Sequence, residues 1–161
     1  EVFKTLHFPG RFDILNIKGK TVVVDGAHNP QKMQAFLKSL TEIFPQQKFH
    51  FLIAFKKGKD IEKMIKQIIP NAKDIVITTF FTDKQDLVHL SEGQKNIAEI
   101  LEKYKFKDYK GVSSIPQALN FLLGKKDAMY VITGSLYLIS EVYPLLTRNN
   151  LLTKLHFKIT I

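Results

Sequence analysis

Short β-branched runs alternate along this chain with segments of helical period, and no other feature constrains the fold as tightly. A run bounded by turn residues reads as a buried strand. An amphipathic segment between two such runs supplies the crossover that parallel strands need. Residues 21–25 (Thr-Val-Val-Val-Asp) form the first buried run, and residues 30–44 the helix after it. Met33, Phe36, Leu37, Leu40 and Phe44 recur there at three- and four-residue spacing, which makes one apolar face. Asn29 suits the N-cap and Pro30 the first helical position, where a missing N–H removes no hydrogen bond.

The same alternation continues. Strands are expected over 49–54, 74–79 and 129–133, with a short one near 109–112. Helices are expected over 60–69, ended by Pro70, over 91–103 with Ile97, Ile100 and Leu101 inward, and from a Ser114 cap through Leu123. An apolar segment after Ser135 ends near Leu146. Residues 12–17, turning at Lys18 and Gly19, read as an entry hairpin, and residues 80–90 as a long loop without period. The pattern predicts a single doubly wound, Rossmann-like α/β domain over 12–150. Its sheet is mostly parallel, of about six strands, with helices on both faces. Residues 1–11 read as the remnant of a hinge and 151–161 as a tail that could add a strand.

Composition narrows the classes. The chain has 161 residues, 45% of them hydrophobic, enough for one domain with a substantial core. It contains no cysteine, which rules out disulfides and thiolate metal sites and fits a cytoplasmic protein. No apolar run approaches the roughly 18 residues of a membrane span. The first residue is Glu1 and no basic-then-apolar signal segment follows, so the start reads as a cut inside a longer chain. The formal charge is +9, nearly all from lysine, with Arg11 and Arg148 the arginines. A basic domain attracts anions. Scattered lysines with few arginines, however, make a poor nucleic-acid reader, and neither a nucleic-acid partner nor a membrane partner is expected.

In open parallel sheets, ligands bind beyond the carboxyl ends of the strands. Two strand ends carry polar residues there: Asp25-Gly26-Ala27-His28-Asn29-Pro30 and Thr133-Gly134-Ser135. At the first, a carboxylate emerges from an otherwise apolar strand, a small turn lets a ligand approach the backbone, and His28 and Asn29 sit at a positive helix end. The same residues would equally serve as caps of a structural turn. At the second, two hydroxyls flank Gly134 and could form an anion nest or a plain turn. There is no P-loop and no G-x-G-x-x-G after a strand, and the histidines at 7, 28, 50, 89 and 156 show no metal-ligand spacing. Ser135 lacks a hydrolase nucleophile context.

Taken in order, Pro9-Gly10-Arg11 before a strand pair, Asp25-Gly26-Ala27-His28-Asn29-Pro30, Lys59-Asp60-Ile61 and Thr133-Gly134-Ser135-Leu136-Tyr137-Leu138 resemble the C-terminal domain of folylpolyglutamate synthases. Some of these are bifunctional with dihydrofolate synthase, and all belong to the Mur ligase superfamily. The resemblance runs from the hinge to about Leu146. It implies an ATP- and Mg2+-dependent ligase that adds L-glutamate to a folate through an acyl phosphate. It also implies that a missing N-terminal ATPase domain supplies the P-loop, magnesium ligands and folate site, so this fragment alone should be inactive. By the same resemblance Arg11 and Asp25 face ATP, and His28 and Ser135 place the incoming glutamate. Gly26, Asn29 and Gly134 support them, and no residue here is itself catalytic or a metal ligand.

The chain also departs from the family pattern. Residues 80–90 lack the Pro-Arg pair common in relatives, and Ala54-Phe55-Lys56-Lys57 stands where relatives are more often small and acidic. The tail after Thr147 matches nothing in the family. Another Mur-type amide ligase domain, or a stand-alone anion-binding module, would share the remaining features.

Overall fold

A computed structural model describes residues 10–82, 89–126, 129–147 and 152–154. The first nine residues of the expected hinge, and most of the tail, lie outside them.

The entry hairpin forms as β1 (Asp13–Ile17) and β2 (Lys20–Asp25), turning at Lys18 and Gly19, both at positive φ. Next come α1 (Pro30–Ile43), β3 (Phe49–Ile53), α2 (Ile61–Ile68), a 3-10 turn (Ile69–Asn71) and β4 (Ala72–Ile77). A small hairpin, β5 (Phe81–Thr82) and β6 (His89–Leu90), leads to α3 (Gln94–Lys103) and β7 (Tyr109–Gly111). The chain continues as α4 (Ile115–Leu123), β8 (Met129–Thr133), α5 (Leu136–Thr147) and β9 (Leu152–Lys154).

The main sheet runs β7-β4-β3-β8-β2-β1-β9. From β7 to β2 every pairing is parallel, while β1 is antiparallel to both neighbours. The sheet has one strand more than the expected count of about six, because β9 adds to the β1 edge.

Alternation along each strand decides which layer it feeds. Val23, Phe51, Ile53, Ile75 and Val131 face a core made with α1, α2 and α3. Val22, Val24, Leu52, Val76 and Ile132 face a second core made with α4 and α5. The central strands are buried on both faces, so they read as unbroken apolar runs rather than alternating ones. Val22, Val23 and Val24 are all fully buried.

Local differences from the sequence reading have plain causes. Residues 80–90 contain the β5–β6 pair, whose Phe81 and Leu90 are opposite each other. Ser91 does not start α3, because its hydroxyl accepts the Phe80 N–H and ties it to that hairpin. Ser114 occupies the N-cap of α4 without a side-chain capping bond. Ile100 is only partly buried, whereas Ile97 and Leu101 are inside.

Chain order and sheet order disagree at β8. The chain steps outward from β3 through β4 to β7, then returns by α4 to insert β8 between β3 and β2. The helices following β2 and β3 lie on one face and the helix following β8 on the other. That reversal opens a crevice at the carboxyl ends of β2, β8 and β3. Asp25, Thr133 and Ile53 stand side by side at its rim.

Candidate functional site

The site grows from the end of β2. Asp25 is half-buried, and both carboxylate oxygens accept main-chain N–H groups. Oδ2 takes the Phe12 N–H at 2.9 Å and Oδ1 the Ala27 N–H at 2.7 Å. Burial pushes its carboxyl above the ordinary value of 3.8; those two N–H donors and nearby Arg11 pull the other way, and Asp13 adds to the rise. Desolvation wins. Asp25 thus ties the 10–12 segment to the β2–α1 turn.

That segment is held from the other side too. The Gly26 N–H donates to the Gly10 carbonyl at 2.8 Å, and Asp13 Oδ2 accepts both the Gly10 N–H and the Tyr143 hydroxyl of α5, each at 2.7 Å. Burial first, then the Asp13 carboxylate, raises the Tyr143 pKa, so the phenol stays protonated as donor. Phe12 takes a φ of 50°, rare for a side chain of that size. Its N–H bond to Asp25 and an edge-on ring contact with Phe36 at 5.6 Å hold it there. Strain of this kind persists only where the surroundings over-determine it, commonly at ligand sites.

The β2–α1 turn then presents His28 at the start of α1. Its Nδ1–H donates to the Gly26 carbonyl at 2.8 Å, which leaves Nε2 as an acceptor 3.2 Å from the Lys32 ammonium. Asn29 caps the helix by accepting the Lys32 N–H at 2.8 Å. A cavity of about 370 Å³ opens between these groups, lined by Arg11, Phe12, Asp25, His28, Lys32 and Leu136 among others. Its size falls within the range of small-molecule sites, about 300–1,000 Å³. Two cations and a histidine at its wall, beside the positive end of a helix, suit an anionic ligand.

The second strand end lies next to this cavity rather than in it. Gly134 has a φ of 108°, and a Cβ there would stand 2.6 Å from the Ala54 carbonyl oxygen, so only glycine fits between β8 and the β3 end. Ser135 is 2% exposed and its hydroxyl oxygen accepts the Tyr137 N–H at 3.1 Å, opening α5. The Thr133 hydroxyl is buried and has no partner among the described residues.

The fold therefore brings Arg11, Asp25, Gly26 and His28 to one cavity and sets Asn29, Gly134 and Ser135 in the turns that frame it. Sequence reasoning missed Lys32, Phe12 and Leu136. Lys32 was legible as the residue one helical turn beyond His28; Phe12 and Leu136 carried no such signal. Among the described residues no group of three or more histidines, aspartates or glutamates is placed to hold a metal ion.

Comparison with known proteins decides the family. The sequence pattern described as "Dihydrofolate synthetase, C-terminal domain" matches residues 11–145. The chain belongs to that family. Dihydrofolate synthetase of Saccharomyces cerevisiae is 24% identical over 136 residues, covering 82% of this chain and 32% of the yeast protein. Dihydrofolate synthase/folylpolyglutamate synthase of Bacillus subtilis is 26% identical over 137 residues, covering 84% and 30%. The chain thus spans about a third of the length of these relatives. Folylpolyglutamate synthase of Thermotoga maritima shares the fold with a TM-score of 0.73, at 23% identity over 92% of this chain and 32% of that one. The bifunctional folylpolyglutamate synthase/dihydrofolate synthase of Yersinia pestis, crystallised with AMPPNP and a manganese ion, also scores 0.73, at 17% identity over 89% and 32%. The doubly wound sheet is the fold shared with these solved structures.

Proposed function

We propose that this chain is the ATP- and glutamate-facing domain of an ATP-dependent amide ligase that elongates a folate with L-glutamate. The observation that carries the reading is the cavity at the end of β2, where Arg11, Asp25, His28 and Lys32 converge in a member of the dihydrofolate synthetase family.

In the reaction, the γ-phosphoryl group of ATP passes to a carboxylate oxygen of the folate and releases ADP. The glutamate amine attacks the acyl-phosphate carbon, the carbon–oxygen bond to phosphate breaks, and the amine loses a proton as the amide forms. Arg11 offers its fork to phosphate, and Asp25 offers its remaining lone pairs to the nucleotide while fixing the loop that carries Arg11. Lys32, hydrogen-bonded to His28, and the α1 N-terminus supply positive charge for a glutamate carboxylate, with His28 aligning it. Ser135, buried beside the cavity, serves the same substrate through the turn that its hydroxyl holds at the opening of α5. Setting an amine against an acyl phosphate is an entropic task, suited to a domain that closes over a partner domain.

The P-loop, the folate site and the ligands of magnesium, which neutralises phosphate charge when bound, are assigned to an N-terminal domain of the same protein. This chain alone should then be inactive. The test is ADP release by the intact protein with ATP, magnesium and L-glutamate, with and without a reduced folate. Release that needs both folate and glutamate is the expected outcome. Nucleotide binding without folate dependence would transfer the reading to a different acyl acceptor.

A further inference from the structure

One feature of the sequence is not absorbed by that site: Lys56-Lys57-Gly58-Lys59, at the carboxyl end of β3. The loop is well fixed. Its Lys57 N–H donates to the Leu90 carbonyl at 2.9 Å, the Glu92 N–H donates to the Phe55 carbonyl at 2.7 Å, and Lys56 bridges to Ser91. From the other side, the Gly134 turn packs against Ala54 and Phe55. Gly58, at a φ of 80° with open space around it, turns the chain so that Lys57 and Lys59 stand exposed. The Lys56 ammonium lies 5.9 Å from the centre of the Tyr137 ring, at the start of the helix whose Leu136 lines the cavity.

These lysines differ from the ones that lie in surface ion pairs. Lys38, Lys63, Lys95 and Lys103 each face a carboxylate of Glu42, Asp60, Glu99 and Glu62. Lys56, Lys57 and Lys59 have no carboxylate partner among the described residues. A pinned backbone holding unpaired cations beside a ligand crevice is an arrangement that recruits an anion.

Resting on the folate-ligase reading, we infer that Lys56, Lys57 and Lys59 bind the polyanionic tail of an acceptor that already carries several γ-linked glutamates. Each such glutamate brings one α-carboxylate, so the tail repeats negative charge at regular intervals. The β3 end is two strands from the β2 end, about 10 Å at the ordinary interstrand spacing. Even at the roughly 3.5 Å per unit of an extended α-linked peptide, three units cover that separation, and a γ-linked unit reaches further. A monoglutamate acceptor offers these lysines no such row of carboxylates. The loop is therefore a specificity element for chain length, distinct from the groups that handle ATP and the incoming glutamate.

The experiment compares intact wild-type protein with the triple variant Lys56→Gln/Lys57→Gln/Lys59→Gln, measuring kcat/KM for folate monoglutamate and folate triglutamate at low and high salt. In the wild type the triglutamate is preferred and salt erodes the preference. In the variant the triglutamate-to-monoglutamate ratio falls about tenfold at low salt and no longer responds to salt. An unchanged ratio in an active variant overturns the inference alone. So does a rise in the KM for ATP that is equal for both acceptors, which would put the loop on the nucleotide. No turnover of the wild type with either folate overturns the ligase reading and this inference with it.

Discussion

The two ends of the sheet hold the same kinds of side chain and treat them in opposite ways. At the carboxyl end, Asp25 spends its oxygens on main-chain N–H groups, and His28 and Lys32 face an open cavity. At the amino end, Asp74 Oδ2 accepts both the His50 Nδ1–H at 2.8 Å and the Lys125 ammonium at 2.7 Å. His50 is 4% exposed and stacks on Tyr130 at 5.5 Å, and the Tyr130 hydroxyl donates to the Lys125 carbonyl. There the side chains pair on one carboxylate oxygen and link β3, β4 and β8, while His50 Nε2 and Asp74 Oδ1 are buried without a partner among the described residues. Side chains that pair with one another across buried strands belong to stability, whereas side chains at the rim of a cavity remain available to a ligand.

The largest effect should come from closing the space at the carboxyl end. Gly134→Val forces a branched side chain into a φ of 108° and against Ala54. It should cost about 4 kcal/mol in urea unfolding, and a loss under about 1 kcal/mol would mean the turn is not rigid. At the amino end, Asp74→Ala leaves His50 and Lys125 without their carboxylate, in a partly buried place. It should cost about 3 kcal/mol by the same measurement while leaving glutamate KM unchanged in the intact protein. A shift in glutamate KM instead would break the contrast between the ends.

Smaller effects sharpen the contrast. His28→Ala should raise the KM for glutamate about tenfold, with the KM for ATP nearly constant, because it removes one polar contact from an open site. The reverse pattern would exchange the roles given to His28 and Asp25.

The smallest effect is a pH dependence. The raised Asp25 carboxyl keeps its proton in the folded state at pH values where the unfolded chain has released it. Its contribution is complete below the ordinary value of 3.8 and is lost as pH rises through the folded-state value. Wild-type stability measured against Asp25→Asn should therefore fall as pH climbs above 3.8, in parallel urea titrations. A difference that grows with pH would show that the two N–H donors and Arg11 outweigh burial.

Much of this was written in local sequence. The three valines of β2 demanded burial on both faces, and Asn29-Pro30 marked the start of α1 within a residue, because a cap and a fixed φ act over a few bonds. The strand-end motifs pointed to Asp25 and His28 for the same local reason. The β5–β6 hairpin was not legible, since two-residue strands carry no period to read. Nor did a lone Ser114 reveal whether its hydroxyl would cap α4.

The sequence by itself determined the class of fold, the order of its strands along the chain, its family and the two strand ends that carry polar residues. Periodicity, caps and turn residues are short-range properties, and they survive in a string of letters. Only the tertiary structure decided that β8 inserts between β3 and β2 and that Phe12 and Lys32 share a cavity with Asp25. It also buried Ser135 at the opening of α5 and stood the lysine loop beside that crevice. Those facts depend on which faces of distant segments bury each other, and that competition is settled only when the whole chain packs.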